Sequence, residues 1–106
     1  MNPKIFAIRR AVLLSLYQFG NPVSLNTLLF CPKLRDAFER CGGLTGGDTL
    51  LLRRELDALC DAGYIQAIAG FDGWYKLADE QRSQLLQSDG KLDRRDALLF
   101  GPAALR

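Results

Sequence analysis

The chain has 106 residues, of which 48% are hydrophobic and 25% charged, and its formal net charge is +2. This length and composition favour one folded domain, and the weak positive charge permits a nucleic-acid partner without indicating one. The sequence contains no histidine, so the usual general base and metal ligand are missing. We therefore expect no enzyme activity, no cofactor and no bound metal.

Cysteine usage indicates a reducing compartment. Cys31, Cys41 and Cys60 are an odd number of cysteines, lie far apart, and lack the paired spacing of zinc ligands. They are predicted to be reduced thiols in a cytoplasmic protein. The first residues do not form a signal peptide, because Arg9 and Arg10 interrupt the apolar stretch, and no run is long enough to cross a membrane.

The first helix is predicted over about residues 3–19, between Pro3 and the stop signal at Gly20. Its main apolar face consists of Ile5, Ile8, Val12, Leu16 and Phe19. A second apolar set consists of Phe6, Leu13 and Tyr17. A helix that is apolar on two sides is either central or has a partner. The second set therefore predicts a homodimer built from the first helix, the C-terminal tail, or both.

The next helical stretch is predicted to be interrupted. Ser24 is a good N-cap residue, and Pro32 should break or kink the helix near Cys31. The glycine-rich segment 42–48 follows. It lacks the lysine and the preceding strand of a phosphate-binding loop, so a helix stop followed by an N-cap at Thr45 or Asp48 is favoured.

A third helix followed by a hairpin is predicted over about residues 48–77. The core stripe of this helix is Leu52, Leu56 and Leu59, and Gly63 ends it. Two apolar runs, 64–69 and 74–77, flank a turn that contains Asp72-Gly73, a strong hairpin signal. Because side chains alternate along a strand, one of Trp74 and Tyr75 should lie in the core and the other on the surface.

A fourth helix is predicted over 79–86 with Asp79 as its N-cap, and an apolar tail follows. The tail is too apolar to be disordered. We therefore expect a domain over residues 1–88 and a C-terminal extension over 89–106 that packs on the domain or on a dimer partner.

The segment Leu59-Cys60-Asp61-Ala62-Gly63-Tyr64-Ile65 and the hairpin after it resemble the end of a recognition helix and a wing. Over about residues 5–87 the chain resembles the winged helix-turn-helix proteins of bacteria and phages. More loosely, it is similar to small winged-helix proteins of Mu-like phages. The expected fold is therefore mostly α with a small antiparallel β-hairpin. The resemblance implies a DNA-binding protein, including a transcriptional regulator, or an assembly module.

The leading interpretation is a small nucleic-acid-binding protein that acts on double-stranded DNA as a homodimer. In a helix-turn-helix unit, the N-terminal part of the second helix enters the major groove. Thr49, Arg53 and Arg54 lie there, opposite the core stripe, and would face the groove. Arg9, Arg10 or Lys76 would contact phosphates.

The alternative interpretation is a protein-interaction module that does not bind DNA directly. Leu50 places an apolar side chain, and Asp48 a negative one, where the groove would be entered. The turn 70–73 has no lysine or arginine for a phosphate. The predicted partner-binding residues are Leu50, Phe71, Phe6, Leu13 and Tyr17.

Overall fold

A computed structural model describes residues 3–20, 22–40 and 47–101. The elements, in chain order, are α1 (Pro3–Phe19), β1 (Val23–Ser24), α2 (Leu25–Leu29), α3 (Pro32–Arg40), α4 (Asp48–Asp61), β2 (Ile65–Ala67), β3 (Trp74–Leu77), α5 (Asp79–Gln87) and α6 (Ala97–Phe100). The described part of the chain is mostly helical and carries a small antiparallel sheet, as the sequence predicts.

The sheet has three strands rather than the two of the predicted hairpin. Its order is β1-β3-β2, so β3 is the central strand. Val23 lies opposite Tyr75, and Ser24 opposite Trp74. The backbone N–H of Leu25 also donates to the carbonyl of Gly73 at 2.7 Å, which holds the start of α2 beside the hairpin turn.

Local signals explain most of the helix ends. The Ser24 hydroxyl accepts a hydrogen bond from the Thr27 N–H, which confirms the predicted N-cap. Gly63 ends α4 with a φ of 82°, a conformation that glycine adopts without strain. The predicted break near Cys31 is confirmed: α2 ends at Leu29, and α3 begins at Pro32, where proline fits the first helical turn.

The N-caps of α4 and α5 in the structure differ from the predicted ones. α4 is capped by Gly47, without a side-chain hydrogen bond, and Thr45 lies in the segment 41–46 that the structure does not describe. The N-cap of α5 is Ala78. Asp79 is instead the first residue of α5, where its negative charge interacts favourably with the positive end of the helix dipole.

The core lies between α1, α3, α4 and the inner face of the sheet. Leu52, Leu56 and Leu59 of α4 are fully buried, which confirms the predicted stripe. On β3, Tyr75 is 4% exposed and Trp74 is 42% exposed, so the predicted alternation is confirmed, with Tyr75 on the core side.

The C-terminal extension covers the second face of α1. Helix α6 packs on α1, and Leu99 is buried in the same core. Leu13, predicted to meet a partner, is fully buried within its own domain. The structure therefore corrects the expectation that Leu13 is exposed for a dimer partner, because Leu13 and Leu99 of the tail are both buried in the core of a single chain.

A buried ion pair joins α1 to α4. Nε of Arg9 donates to Oε1 of Glu55 at 2.7 Å, and the two side chains are 16% and 8% exposed. A second Arg9 nitrogen donates to the carbonyl oxygen of Leu98 at 2.9 Å. A charge buried this deeply requires such partners. Arg9 thus ties three helices together.

Asp96 attaches the start of α6 to the domain. Its carboxylate caps α6 by accepting from the Leu98 N–H, and it also accepts a hydrogen bond from the Tyr64 hydroxyl. Burial, and then this hydrogen bond, raise the pKa of Tyr64 to about 12. The phenol therefore stays protonated at neutral pH and remains the donor.

None of the helices in the described part of the chain combines the length and the apolar character that a membrane span requires.

Candidate functional site

The exposed side of α4 and the hairpin turn form one surface. Thr49, Leu50, Arg53 and Arg54 are all exposed, whereas Leu52, Glu55 and Leu56 on the opposite side are buried. The division follows from the helical repeat, since residues three and four apart share a face. We call this surface the α4–turn face and define it by Thr49, Leu50, Arg53, Arg54, Phe71 and Asp72.

An ion pair places the turn beside the helix. Nη2 of Arg53 lies 3.3 Å from Oδ1 of Asp72, and the two side chains are 53% and 91% exposed. Such an exposed pair contributes little to stability. Its position nevertheless shows that the negative charge of Asp72 lies against the positive charge of Arg53.

Two large apolar side chains are exposed next to this ion pair in the chain. Leu50 lies one helical turn before Arg53 and is 65% exposed, and Phe71 precedes Asp72 and is 63% exposed. Because the ion pair holds the turn beside α4, both belong to the α4–turn face, unlike the scattered single residues that occur on most surfaces.

Charged residues of α4 affect the hydroxyl of buried Tyr75 on β3. Burial raises the pKa of the Tyr75 hydroxyl, Asp57 raises it further, and Arg53 acts in the opposite direction. Charges of both signs therefore act on this hydroxyl. The exposed side of α4 continues with Asp57 and Asp61, so it carries both signs and is not a continuous basic stripe.

The predicted nucleic-acid contacts do not form one surface. Thr49, Arg53 and Arg54 lie together on the α4–turn face. Lys76 is half-buried and lies on the outer side of the sheet, the same side as Trp74, which is two residues earlier on β3. Arg9 is corrected from a phosphate contact to a structural residue, since its guanidinium binds Glu55 and Leu98.

Arg10 is also attached to the extension. Its Nη1 donates to the carbonyl oxygen of Leu99 at 2.8 Å, and its guanidinium carbon lies 4.8 Å from the centre of the Phe100 ring. Arg10 and Arg9 are adjacent in sequence but lie on different sides of α1, because successive residues of a helix point about 100° apart.

The predicted partner contacts are also divided. Leu50 and Phe71 lie on the α4–turn face. Phe6 and Tyr17 are half-buried on α1, where the guanidinium groups of Arg9 and Arg82 lie over their rings. Sequence reasoning missed the role of Asp72 as the partner of Arg53, because the two residues are 19 positions apart. The Asp-Gly turn signal revealed where the chain reverses but not which helix the turn approaches.

The described thiols are poor nucleophiles. Burial raises the pKa of Cys31 and, together with Asp57, that of Cys60, so little thiolate forms at neutral pH. Cys41 lies outside the described residues. Within residues 3–20, 22–40 and 47–101, the acidic and cysteine side chains form no cluster of three or more that could hold a metal ion.

Comparisons of the chain with protein-family models, with curated proteins and with solved structures found no match. Its function must therefore be inferred from the chemistry of its own surfaces.

Proposed function

We propose that this chain is a winged-helix assembly module that docks on a protein surface through the α4–turn face. The order of its elements supports the winged-helix part of the proposal. A helix, a short strand and further helices precede a hairpin, and the first strand pairs with the second strand of that hairpin. In this arrangement α4 occupies the place of the recognition helix, and the turn 70–73 is the tip of the wing.

The observation that carries the docking function is the exposure of Leu50 and Phe71 on the face where the Arg53–Asp72 pair joins α4 to the turn. Burying such side chains against another protein removes apolar area from water, which contributes a favourable free energy of roughly 25 cal/mol per Å² of buried area. Interface centres are enriched in aromatic residues and arginine, and this face supplies both.

The partner that fits this face best is a second copy of the chain. A two-fold dimer brings the same patch of both subunits together, so the patch must complement itself. The α4–turn face meets this requirement, since it carries Arg53 and Asp72 side by side together with two exposed apolar residues. Across a two-fold axis, Arg53 of one copy faces Asp72 of the other, and the apolar side chains meet each other.

We expect Leu50→Asp and Phe71→Asp each to convert a dimer into a monomer at tens of micromolar, where a specific interface of standard size persists. An aspartate in the contact would be buried without a partner. Light scattering should give twice the 11.8 kDa chain mass for the unchanged protein and the single chain mass for both variants.

Leu86→Asp is the matched control, because Leu86 is 64% exposed but lies on α5, outside the α4–turn face. This variant should remain dimeric. If the unchanged protein is a monomer at these concentrations, or if Leu86→Asp dissociates the dimer as Leu50→Asp does, self-docking through this face is wrong.

Duplex DNA is the second candidate partner for the same face. The observation in its favour is that Thr49, Arg53 and Arg54 are all exposed on the N-terminal half of α4. Arginine can read guanine in the major groove, at about 1–3 kcal/mol per good contact. Arg53→Ala should then weaken specific binding by that amount in an anisotropy titration. Equal affinity of Arg53→Ala and the unchanged protein would exclude this contact.

A further inference from the structure

A basic surface lies on the side of α1 that carries Arg10. Two depressions adjoin there, of about 430 Å³ and 200 Å³, and Arg10 and Leu14 border both. The larger one reaches the segment 88–96 between α5 and α6, and the smaller one reaches α3. We call this surface the α1 strip.

The charge of the α1 strip is strongly one-sided. Among the residues that the structure describes, the ionisable ones that border it are Arg10, Lys33, Arg40, Lys91, Arg94 and Asp36. Asp36 is the only carboxylate of this described set, and it pairs with Arg40 at 3.1 Å. Within residues 3–20, 22–40 and 47–101, Arg10, Lys33, Lys91 and Arg94 form no ion pair, on a chain whose net charge is only +2.

Arg10 is held in place at the centre of the strip. One of its nitrogens binds the carbonyl of Leu99, and the ring of Phe100 lies 4.8 Å from its guanidinium carbon. Arginine carries five N–H donors, so others remain for a ligand. A cation that is already ordered loses less entropy when it binds a phosphate.

We propose that the α1 strip binds the phosphate backbone of a nucleic acid. Cations from α1, α3 and the segment 88–96 are arranged along adjoining depressions, which suits a linear series of phosphates. This site is separate from the α4–turn face, and the proposal does not depend on the function assigned to that face. It makes the module a bridge between a nucleic acid and a second protein chain.

An anionic membrane fits the strip less well. Peripheral binding to lipid usually combines cations with apolar side chains that enter the bilayer. The large apolar residues that border the strip, Leu14, Leu92 and Phe100, are half-buried, and Leu92 and Phe100 pack against the core. The strongly exposed apolar side chains, such as Phe30 and Leu86, do not border it.

The test is a fluorescence anisotropy titration of the full chain with a labelled, mixed-sequence DNA duplex over a series of salt concentrations. The charge-reversal variant is Lys33→Glu with Arg94→Glu, since both side chains are exposed. Its matched control is Arg35→Glu with Arg95→Glu, which makes the same charge change on exposed arginines that do not border the strip. Circular dichroism should show the same thermal melt for both.

We expect the unchanged protein and the control to bind alike. The strip variant should bind more weakly, and its log–log salt slope should be shallower by about two, roughly one for each cation lost. Equal affinity of the strip variant and the control would overturn the proposal. Loss of binding only in Arg53→Glu with Arg54→Glu would overturn it as well, by placing the nucleic acid on the α4–turn face. Cosedimentation with phosphatidylserine vesicles, without duplex binding, would identify a membrane site instead.

Discussion

Glu55→Ala is expected to lower the free energy of unfolding by about 3–5 kcal/mol, the usual cost of removing one partner from a buried ion pair. The substitution leaves the Arg9 guanidinium, whose side chain is only 16% exposed, without its carboxylate. It also loosens the contact between α1 and α4. Urea denaturation followed by circular dichroism measures the change.

Two comparisons separate burial from charge in that experiment. Asp36→Ala breaks an exposed ion pair with Arg40 and should cost less than about 1 kcal/mol. Replacing Arg9 by Met and Glu55 by Leu together should recover much of the loss, because no unpaired charge remains in the interior. A loss from Glu55→Ala no larger than that from Asp36→Ala would show that the Arg9–Glu55 pair does not hold α1 against α4.

Leu56→Ala is expected to lower the free energy of unfolding by about 2–5 kcal/mol. Leu56 is fully buried on the core side of α4, so truncation leaves a cavity between α4 and its neighbours. Leu86→Ala makes the same chemical change, but Leu86 is 64% exposed on α5, outside the α4–turn face, and should change stability by less than about 0.5 kcal/mol. Similar melting temperatures for the two variants would contradict the assigned orientation of α4.

The features predictable from the sequence are those that depend on neighbouring residues. Ser24 caps its helix through the Thr27 N–H three residues away, and Gly63 ends α4 through its own φ angle. The buried stripe of α4 follows from helical spacing alone. These signals are local, so they do not depend on how the rest of the chain packs.

The wrong predictions concern contacts between distant segments. Leu13 is predicted on an exposed face because helical spacing does not reveal which distant segments pack on α1, and the structure buries it in the same core as Leu99. Strand β1 was missed because two residues carry no periodic pattern and pair with β3 about 50 positions later. Arg9 resembled a surface cation because its partner Glu55 lies 46 residues away.

In the candidate site, too, local features are predictable from the sequence and long-range contacts are not. The exposure of Leu50, Arg53 and Arg54 follows from the phase of the helix, and the exposure of Phe71 from its place in a turn. Tertiary packing brings Asp72 against Arg53. It also brings residues of α1, α3 and the segment 88–96 together into one basic strip. No sequence period connects these positions.

The most direct measurement of self-docking is a charge-swap mixing experiment by light scattering. Arg53→Glu and Asp72→Arg should each be monomeric at tens of micromolar, because like charges meet across the two-fold axis. Mixing the two variants in equal amounts restores both opposite-charge pairs, so the mixture should show twice the 11.8 kDa chain mass. A mixture that stays monomeric while the unchanged protein is dimeric would show that Arg53 does not face Asp72 of a second copy across this face.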